Sequence, residues 1–514
     1  MSPIAPRPAR VDLLLRATDG TAPCVAFGDL RWSYAELDSA VDAAASRLAA
    51  AGLRPGDRIA VLSTPRPEYL LLWLAASRIG AVHAGLNPRY TARELSGILA
   101  RVRPRLVFSL RAFEGADLPA LLAAADASAP VVPFGDADEL GRALDALPPL
   151  APAPDDGRAP GLERCAAIVF TSGSTGEPKA AMLTHEGLLL AAAVQHDRLG
   201  PARRPRLLCN LPINHVGCLM NLTLGALAGG GSIVFMERFD PARTLALIAD
   251  AGVTTWLQVP AMYHACVNDP AFDPARLRGL HSICIGGGAA SAATVARLRA
   301  IGARLFVEYG QTETSSSAAY SDDGAGDAVL AECIGRFDPR FEFRIAADDG
   351  APCADGEVGE IQARGPLLFA GYFGDAEATR AAFTADGWLR TGDLAARRPD
   401  GNVVLRGRLR EMIKSGGYNV YPREIETVLE SHPAIDQAVV VGLPDERFGE
   451  AVHAVVRLRA DVRLADLLAL CRGQLANFKV PKRVVVIDAF PLLPNGKIDR
   501  VRTRALADGP GALN

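Results

Sequence analysis

No C-x-x-C pair occurs in this chain, although it carries 9 cysteines. Their scatter excludes a zinc ribbon and argues against a disulfide framework, so a reducing cytoplasm is the expected setting. An excess of one charge is also missing. The 55 Lys and Arg residues stand against 58 Asp and Glu, a formal net charge of −3 with an isoelectric point near 6.3. That balance excludes a general nucleic-acid surface. The first residues, Met1-Ser-Pro-Ile-Ala-Pro-Arg7, lack a long apolar core, so no secretory signal is expected. One uncharged stretch, Val216 to Met236, has the length of a membrane span, but Gly225 and Gly229-Gly230-Gly231 break it. It reads as a buried helix, a turn and the strand Ser232–Phe235, so no integral membrane association is expected. No internal repeat is evident.

What is present points to a large α/β protein. At 514 residues the chain exceeds one ordinary core, and 49% hydrophobic residues support extensive burial. Ser33 is a plausible N-cap for a helix over 34–51. Strands are expected at 58–62 and 105–109, with a helix at 68–79 between them. Alternation of this kind predicts parallel sheets with crossover helices. The Pro-, Ala- and Asp-rich stretch from Pro130 to Pro160 reads as a surface connection. A second α/β run extends from Arg206 to Glu308, and Gly335 to Gly407 is β-rich. The remainder mixes strands at 437–441 and 484–487 with helices at 422–431 and 464–476.

The densest chemical signal is Thr171-Ser172-Gly173-Ser174-Thr175-Gly176-Glu177-Pro178-Lys179, which follows the apolar strand pattern Ala166–Phe170. Glycines let the backbone approach phosphates, its N–H groups and the hydroxyls donate hydrogen bonds, and a lysine adds charge. The run is not a Walker A loop, because Gly176-Glu-Pro-Lys-Ala180 does not supply G-K-[ST]. Taken alone it could be a plain turn. Five further motifs follow in order: Tyr309-Gly310-Gln-Thr312-Glu313, Thr391-Gly-Asp393, Gly407-Arg408, Lys414-Ser-Gly416-Gly417-Tyr-Asn-Val-Tyr-Pro422, and Pro494-Asn-Gly-Lys497.

Together these motifs resemble the adenylate-forming superfamily of acyl-CoA synthetases, peptide-synthetase adenylation domains and beetle luciferases, and most closely its acyl-CoA synthetases. The resemblance runs from Ser33-Tyr-Ala-Glu-Leu37 to Arg500. One departure is Ala180, where the family usually has glycine after the loop lysine. The resemblance implies a large N-terminal α/β domain with a β-rich subdomain, residues 1–408, and a small mobile α+β domain, residues 409–514, with a hinge near Arg410. It implies ATP, Mg2+ and CoA as cofactors. Carboxylate and ATP give acyl-AMP and pyrophosphate, and a thiol then displaces AMP.

The roles carried over follow the motifs. Lys497 would bridge the attacking carboxylate and the α-phosphate. Glu313, with Thr171, would hold Mg2+, since a hard cation takes oxygen ligands. Thr312 would donate to the α-phosphate, Tyr309 and Gly310 would lie against adenine, and Gly288 would line the same wall. Asp393 would accept from the ribose hydroxyls with Arg408 assisting. Gly416 and Gly417 resemble the lining of a pantetheine tunnel, Lys414 matches a lysine of the second conformation, and Phe478 and Lys482 suit the CoA nucleotide. A buried phenylalanine and a surface lysine are the plain alternative for that last pair.

The acid is expected near His215 in Pro212-Ile-Asn-His-Val-Gly217, with a structural histidine as the alternative. No carboxylate stands at 215 or 216 to pair with an amino group, which argues against an amino-acid substrate. Arg238 would favour a dicarboxylate only if it points inward; a surface arginine is the plainer reading. The run Ile285-Gly-Gly-Gly288-Ala289 leaves room for an aliphatic or aromatic tail. A CoA ligase for an apolar acid is the leading expectation. A loader of a separate carrier protein and an inactive nucleotide-binding regulator remain as alternatives. Monomer and homodimer are both open.

Overall fold

The computed structural model describes residues 8–151, 161–171, 178–199, 204–415, 418–493 and 497–509. Two compact units divide the chain. One comprises Met1–Ala331, Gly335–Glu342 and Ala363–Leu389; the other comprises Glu332–Ile334, Phe343–Gln362 and Arg390–Asn514.

Two sheets organise the first unit. In the six-stranded sheet the order is Lys179–Thr184, Cys165–Thr171, Val82–Leu86, Arg58–Leu62, Leu106–Leu110 and Val131–Phe134. All its pairings are parallel except the first. Strands 58–62, 82–86 and 106–110 are buried at every residue, the signature of a parallel sheet covered on both faces. The crossover helix Pro67–Arg78 starts on proline and is buried from Pro67 to Ser77; its Trp73 indole donates to the Ala166 carbonyl at 2.9 Å. Ser33 caps the helix Tyr34–Ala50 through a reciprocal box with Glu36.

The stretch from Pro130 to Pro160 is more than a connection. It contributes the strand Val131–Phe134 and the helix Ala137–Asp145, whose cap is Asp136. Pro133 masks that strand in the sequence, but an edge strand tolerates a residue without an N–H.

The second sheet has nine strands in the order Arg336–Phe337, Ser316–Tyr320, Arg304–Gln311, Ser282–Ile285, Thr255–Gln258, Arg206–Cys209, Ser232–Phe235, Pro23–Phe27 and Leu30–Ser33. Its middle is parallel and its two ends are antiparallel. The apolar stretch 216–236 forms a π-helix Gly217–Leu224, a short α-helix Gly225–Ala228 and the strand Ser232–Phe235. Among the described residues no helix is long and apolar enough to cross a membrane.

Most residues of a four-stranded sheet, in the order Glu342–Ala346, Gly359–Arg364, Leu389–Arg397 and Val403–Arg408, fall in the other unit. That unit also carries a five-stranded sheet in which Gly449–Leu458 pairs with Ile413–Ser415, Ile435–Asp445 and Arg483–Val486. Helices Pro422–Glu430 and Leu464–Gln474 bury Ile425, Leu429, Leu467 and Cys471 with Val440, Val452 and Val456 of that sheet. The short 3-10 turn Leu409–Glu411 links Val403–Arg408 to Ile413–Ser415, and Arg410 within it is exposed.

Ser33→Ala removes the cap acceptor for Glu36 N–H and is expected to lower stability by about 1 kcal/mol. The midpoint of the first chemical-denaturation transition reads the change; an unshifted midpoint counts against the cap.

Candidate active site

In the first unit, Lys179 opens the strand Lys179–Thr184 directly opposite Thr171. Residues 172–177, which include Ser172, Gly173, Ser174, Thr175 and Gly176, lie outside the described residues. Ala180 is fully buried and paired with Phe170, so its methyl packs in the sheet and does not intrude on the loop.

A segment the sequence did not flag joins this strand to the Tyr309–Glu313 motif. Ala370 N–H donates to Met182 O at 2.8 Å, Met182 N–H to Gly371 O at 3.0 Å, and Phe373 N–H to Ala180 O at 2.8 Å. Phe369 N–H donates to Glu313 O at 2.9 Å. The Tyr372 hydroxyl donates to Glu313 Oε1 at 2.8 Å, and Lys179 Nζ lies 4.8 Å from the centroid of the same ring. One aromatic residue therefore holds the loop lysine and the candidate magnesium carboxylate together. Burial and the neighbouring Glu313 push the Tyr372 hydroxyl well up, so it stays a donor.

Glu313 sits in the tight turn Thr312–Thr314 between two antiparallel strands. The turn is strained: Ser315 and Ser316 have φ of 53° and 96°. A Cβ on Gly310 would lie 1.7 Å from Ser316 O, so only glycine fits there. Thr312 is buried, and Tyr309 is 7% exposed on the preceding strand.

The acid-binding candidates come from three segments. His215 is half-buried at the start of the π-helix, and its carbonyl accepts from Cys218 and Leu219 N–H at 3.1 and 2.9 Å. The thiols of Cys209 and Cys218, which bracket this loop, are 2.9 Å apart. The glycines 286–288 serve different ends. A Cβ on Gly286 would lie 2.5 Å from Glu308 Oε1, Gly287 has φ +74°, and a Cβ on Gly288 would meet the Pro260 ring at ordinary contact distance, Cγ at 3.5 Å and Cδ at 3.7 Å. Room for a ligand is thus available at Gly288, whereas the space beside Gly286 is filled by Glu308.

Glu308 itself escaped sequence reasoning. Its Oε1 accepts from Asn221 Nδ2 at 2.6 Å, and Asn221 Oδ1 accepts from Ser316 Oγ at 2.7 Å. Its Oε2 is buried without a hydrogen-bond partner. Burial pushes this carboxyl up to about 7, against the opposing pull of Ser317, Cys284 and Asn221. Arg238 lies at the surface, 3.4 Å from Glu114 and 5.2 Å from the Phe113 ring centroid, beside an open pocket of about 520 Å³ lined by Phe113, Glu114 and Glu237.

In the other unit, Asp393 and Arg408 are cross-strand partners, with Nε to Oδ1 at 3.1 Å. Gly392 has φ +70° and donates its N–H to Glu360 Oε1 at 3.0 Å, while Thr391 Oγ1 accepts from Asp393 N–H at 3.1 Å. Within the strand Leu389–Arg397 this leaves Asp393 buried beside a guanidinium. Lys497 faces the same pair. It keeps solvent access as a residue, yet protein surrounding its ammonium desolvates it and lowers its pKa; Arg408 lowers it further and Asp393 opposes both. Leu493 N–H donates to Lys497 O at 2.7 Å; the turn residues 494–496 lie outside the described residues.

Gly416 and Gly417 are likewise outside the described residues. Lys414 is exposed, and its backbone N–H donates to Glu450 Oε2 at 2.8 Å. Phe478 and Lys482 find different aromatic partners. Phe478 stacks on the exposed Tyr418 at 4.3 Å and 14°, whereas Lys482 Nζ lies 5.2 Å from the Phe448 ring centroid. Tyr418 was hidden inside a glycine motif and Phe448 in an unremarkable loop.

Among the described residues no group of three or more His, Cys, Asp and Glu side chains could cage a metal. A single carboxylate such as Glu313 fits Mg2+, which keeps waters and phosphate oxygens as its other ligands.

Residues 16–373 match the family model described as AMP-binding enzyme, and residues 424–497 match the AMP-binding enzyme C-terminal domain. The chain is 36% identical over 483 residues to a feruloyl-CoA synthase of an Amycolatopsis species, covering 93% of this chain and 94% of that one. It is 35% identical over 494 residues to an indoleacetate–CoA ligase of Aromatoleum aromaticum, covering 94% of each. The crystal structure of ATP-bound MatB from Rhodopseudomonas palustris superposes with a TM-score of 0.86 at 29% identity, covering 97% of this chain and 99% of that one.

Glu308 gives a pH signature. Unfolded, its carboxyl titrates near 4.5; folded, near 7. Between those values the unfolded state loses its proton first. Its contribution to stability is therefore full below pH 4.5, falls as pH rises to about 7 and stays level above. Thermal melts across that window should show the decline in the wild type and its loss in Glu308→Gln. Parallel profiles for the two proteins would contradict the assignment.

Proposed function

The chain belongs to the AMP-binding enzyme family, and on that premise we propose that it is an ATP- and Mg2+-dependent acid–thiol ligase. It converts an apolar carboxylic acid, aliphatic or aromatic, to acyl-AMP with release of pyrophosphate, and then to acyl-CoA with release of AMP. The observation that carries this reading is the convergence of Lys179 and Glu313 on Tyr372, with Lys497 facing the Asp393–Arg408 pair.

In the first half-reaction a carboxylate oxygen bonds to the α-phosphorus of ATP as the bond to pyrophosphate breaks. Two anions meet, so the site must supply cations and fixed donors. Lys179 neutralises the departing phosphates. Thr312 donates to the α-phosphate, and Lys497 bridges that phosphate and the incoming carboxylate. Its lowered pKa reflects desolvation, which strengthens an ammonium's attraction to anions. Glu313, with Thr171, would hold Mg2+, which would supply positive charge against the phosphates. Asp393 accepts from the ribose hydroxyls, and Arg408 keeps its carboxylate ionised and oriented. His215 and the wall at Gly288 receive the acid.

In the second half-reaction a thiol sulfur bonds to the acyl carbon and the bond to AMP breaks. We assign residues 409–514 to a mobile domain hinged at Arg410, with Lys414, Gly416 and Gly417 serving this step and Phe478 and Lys482 placed for the CoA nucleotide. The exposed 3-10 turn around Arg410 and the exposed Lys414 are compatible with that exchange.

Mass spectrometry of products from ATP, Mg2+, CoA and a panel of aliphatic, aromatic and dicarboxylic acids tests the reading. Acyl-CoA with matching AMP is expected from apolar acids; acyl-AMP without thioester would point instead to a carrier-protein acceptor. Lys497→Ala should cut adenylation at least about 100-fold, the scale of removing one transition-state donor, while leaving thioester formation from supplied acyl-AMP largely intact. Equal loss in both half-reactions would remove that role. Arg410→Pro should spare adenylation and slow the thiol step, and an unaltered overall rate would remove the hinge.

A further inference from the structure

Glu308 poses a physical problem. A carboxyl taken out of water with one oxygen unpartnered is destabilising where a well-packed apolar side chain would not be. Such an exception in a tightly packed interior calls for an explanation beyond packing.

Its position supplies one. Glu308 immediately precedes Tyr309 on the strand Arg304–Gln311. Its Oε1 would lie 2.5 Å from a Cβ on Gly286, the first of the three wall glycines. The same oxygen accepts from Asn221, on the π-helix that begins just after His215. All three segments assigned to the acid site therefore meet on this one side chain. Asn221 is in turn fixed by Ser316 Oγ at 2.7 Å, and its backbone carbonyl accepts from Gln195 Nε2 at 2.7 Å. The carboxyl is thus held in place rather than free to swing aside.

We propose that Glu308, braced by Asn221, is the end wall of the acid pocket and limits the enzyme to short or single-ring acids. The inference rests on the acid lying between His215, Gly288 and Tyr309. A glycine at 286 opens depth behind the wall, and the Glu308 side chain closes it again. An apolar residue of similar size would do the same, but its position would not be pinned by a hydrogen bond to the helix that carries the acid-binding histidine.

Turnover along a ladder of straight-chain acids from butanoate to hexadecanoate, with benzoate and 2-naphthoate as flat probes, tests the proposal. Acyl-AMP formation is followed by pyrophosphate release. The wild type should lose at least about tenfold in kcat/KM between hexanoate and dodecanoate and between benzoate and 2-naphthoate, carried by KM. Glu308→Ala removes the stop and should move the preference at least about tenfold toward dodecanoate and 2-naphthoate. Glu308→Gln keeps the size and should keep the wild-type order. A simple loss of stability lowers all substrates together and cannot reverse their order.

Wild-type turnover that extends evenly to hexadecanoate overturns the end wall by itself, whether or not Glu308→Ala folds. Restricted wild-type turnover with an unchanged order in Glu308→Ala also overturns it, while leaving the ligase reading intact. A wild type that releases pyrophosphate with none of the acids overturns the ligase reading and this inference with it.

Discussion

The five residues Phe369 to Phe373 hold the strand Lys179–Thr184 and the turn at Glu313 together. They add hydrogen bonds to the edge of the strand Lys179–Thr184, reach Glu313 through a backbone bond, and end in a ring whose face meets a lysine and whose hydroxyl meets a carboxylate. Neither Lys179 nor Glu313 is placed by its own motif alone. An ammonium and a carboxylate this near would otherwise pair directly and neutralise each other. Tyr372 stands between them as a neutral spacer: it satisfies the carboxylate with a hydroxyl and the ammonium with a π face.

Much of the scaffold was legible because local chemistry and tertiary packing agree there. The Ser33–Glu36 box, the fully buried strands and the proline-started helix at 67 each state their structure in a few residues. The edge strand Val131–Phe134 was not legible, because its proline is tolerated only by virtue of its place in the sheet, and a sequence does not show sheet order. Tyr372 and Glu308 escaped for a related reason. Each acts through a partner far away in the chain, Tyr372 through Glu313 and Glu308 through Asn221, and neither lies in a repeated or glycine-rich pattern.

The glycines show how a motif can be located correctly while its members differ in purpose. Gly310 is required by the carbonyl of Ser316, Gly286 by a carboxylate, Gly287 by its backbone angle, and Gly288 by none of these. Composition alone presents the last three as equivalent space. Only the contacts separate a glycine that relieves a protein clash from one that leaves room for a ligand. Asp393 is a contrasting case: Thr-Gly-Asp is a common tripeptide, here lying within a strand, and its distinctiveness comes from the cross-strand Arg408 and the bond from Gly392 to Glu360.

The π-helix Gly217–Leu224 closes with Gly225 N–H reaching back to Met220 O, a five-residue step where an α-helix takes four. Such a turn holds one residue of slack. The wide turn absorbs that extra residue, so removing one returns the segment toward ordinary α geometry while the two flanks keep nearly the same facing. His215 lies on one side of that slack and the short helix Gly225–Ala228 on the other. Insertions and deletions, usually confined to loops, therefore have a place here inside a buried helix. A one-residue deletion at this point is taken up by the turn, whereas the same deletion in an α-helix swings one flank about 100° against the other.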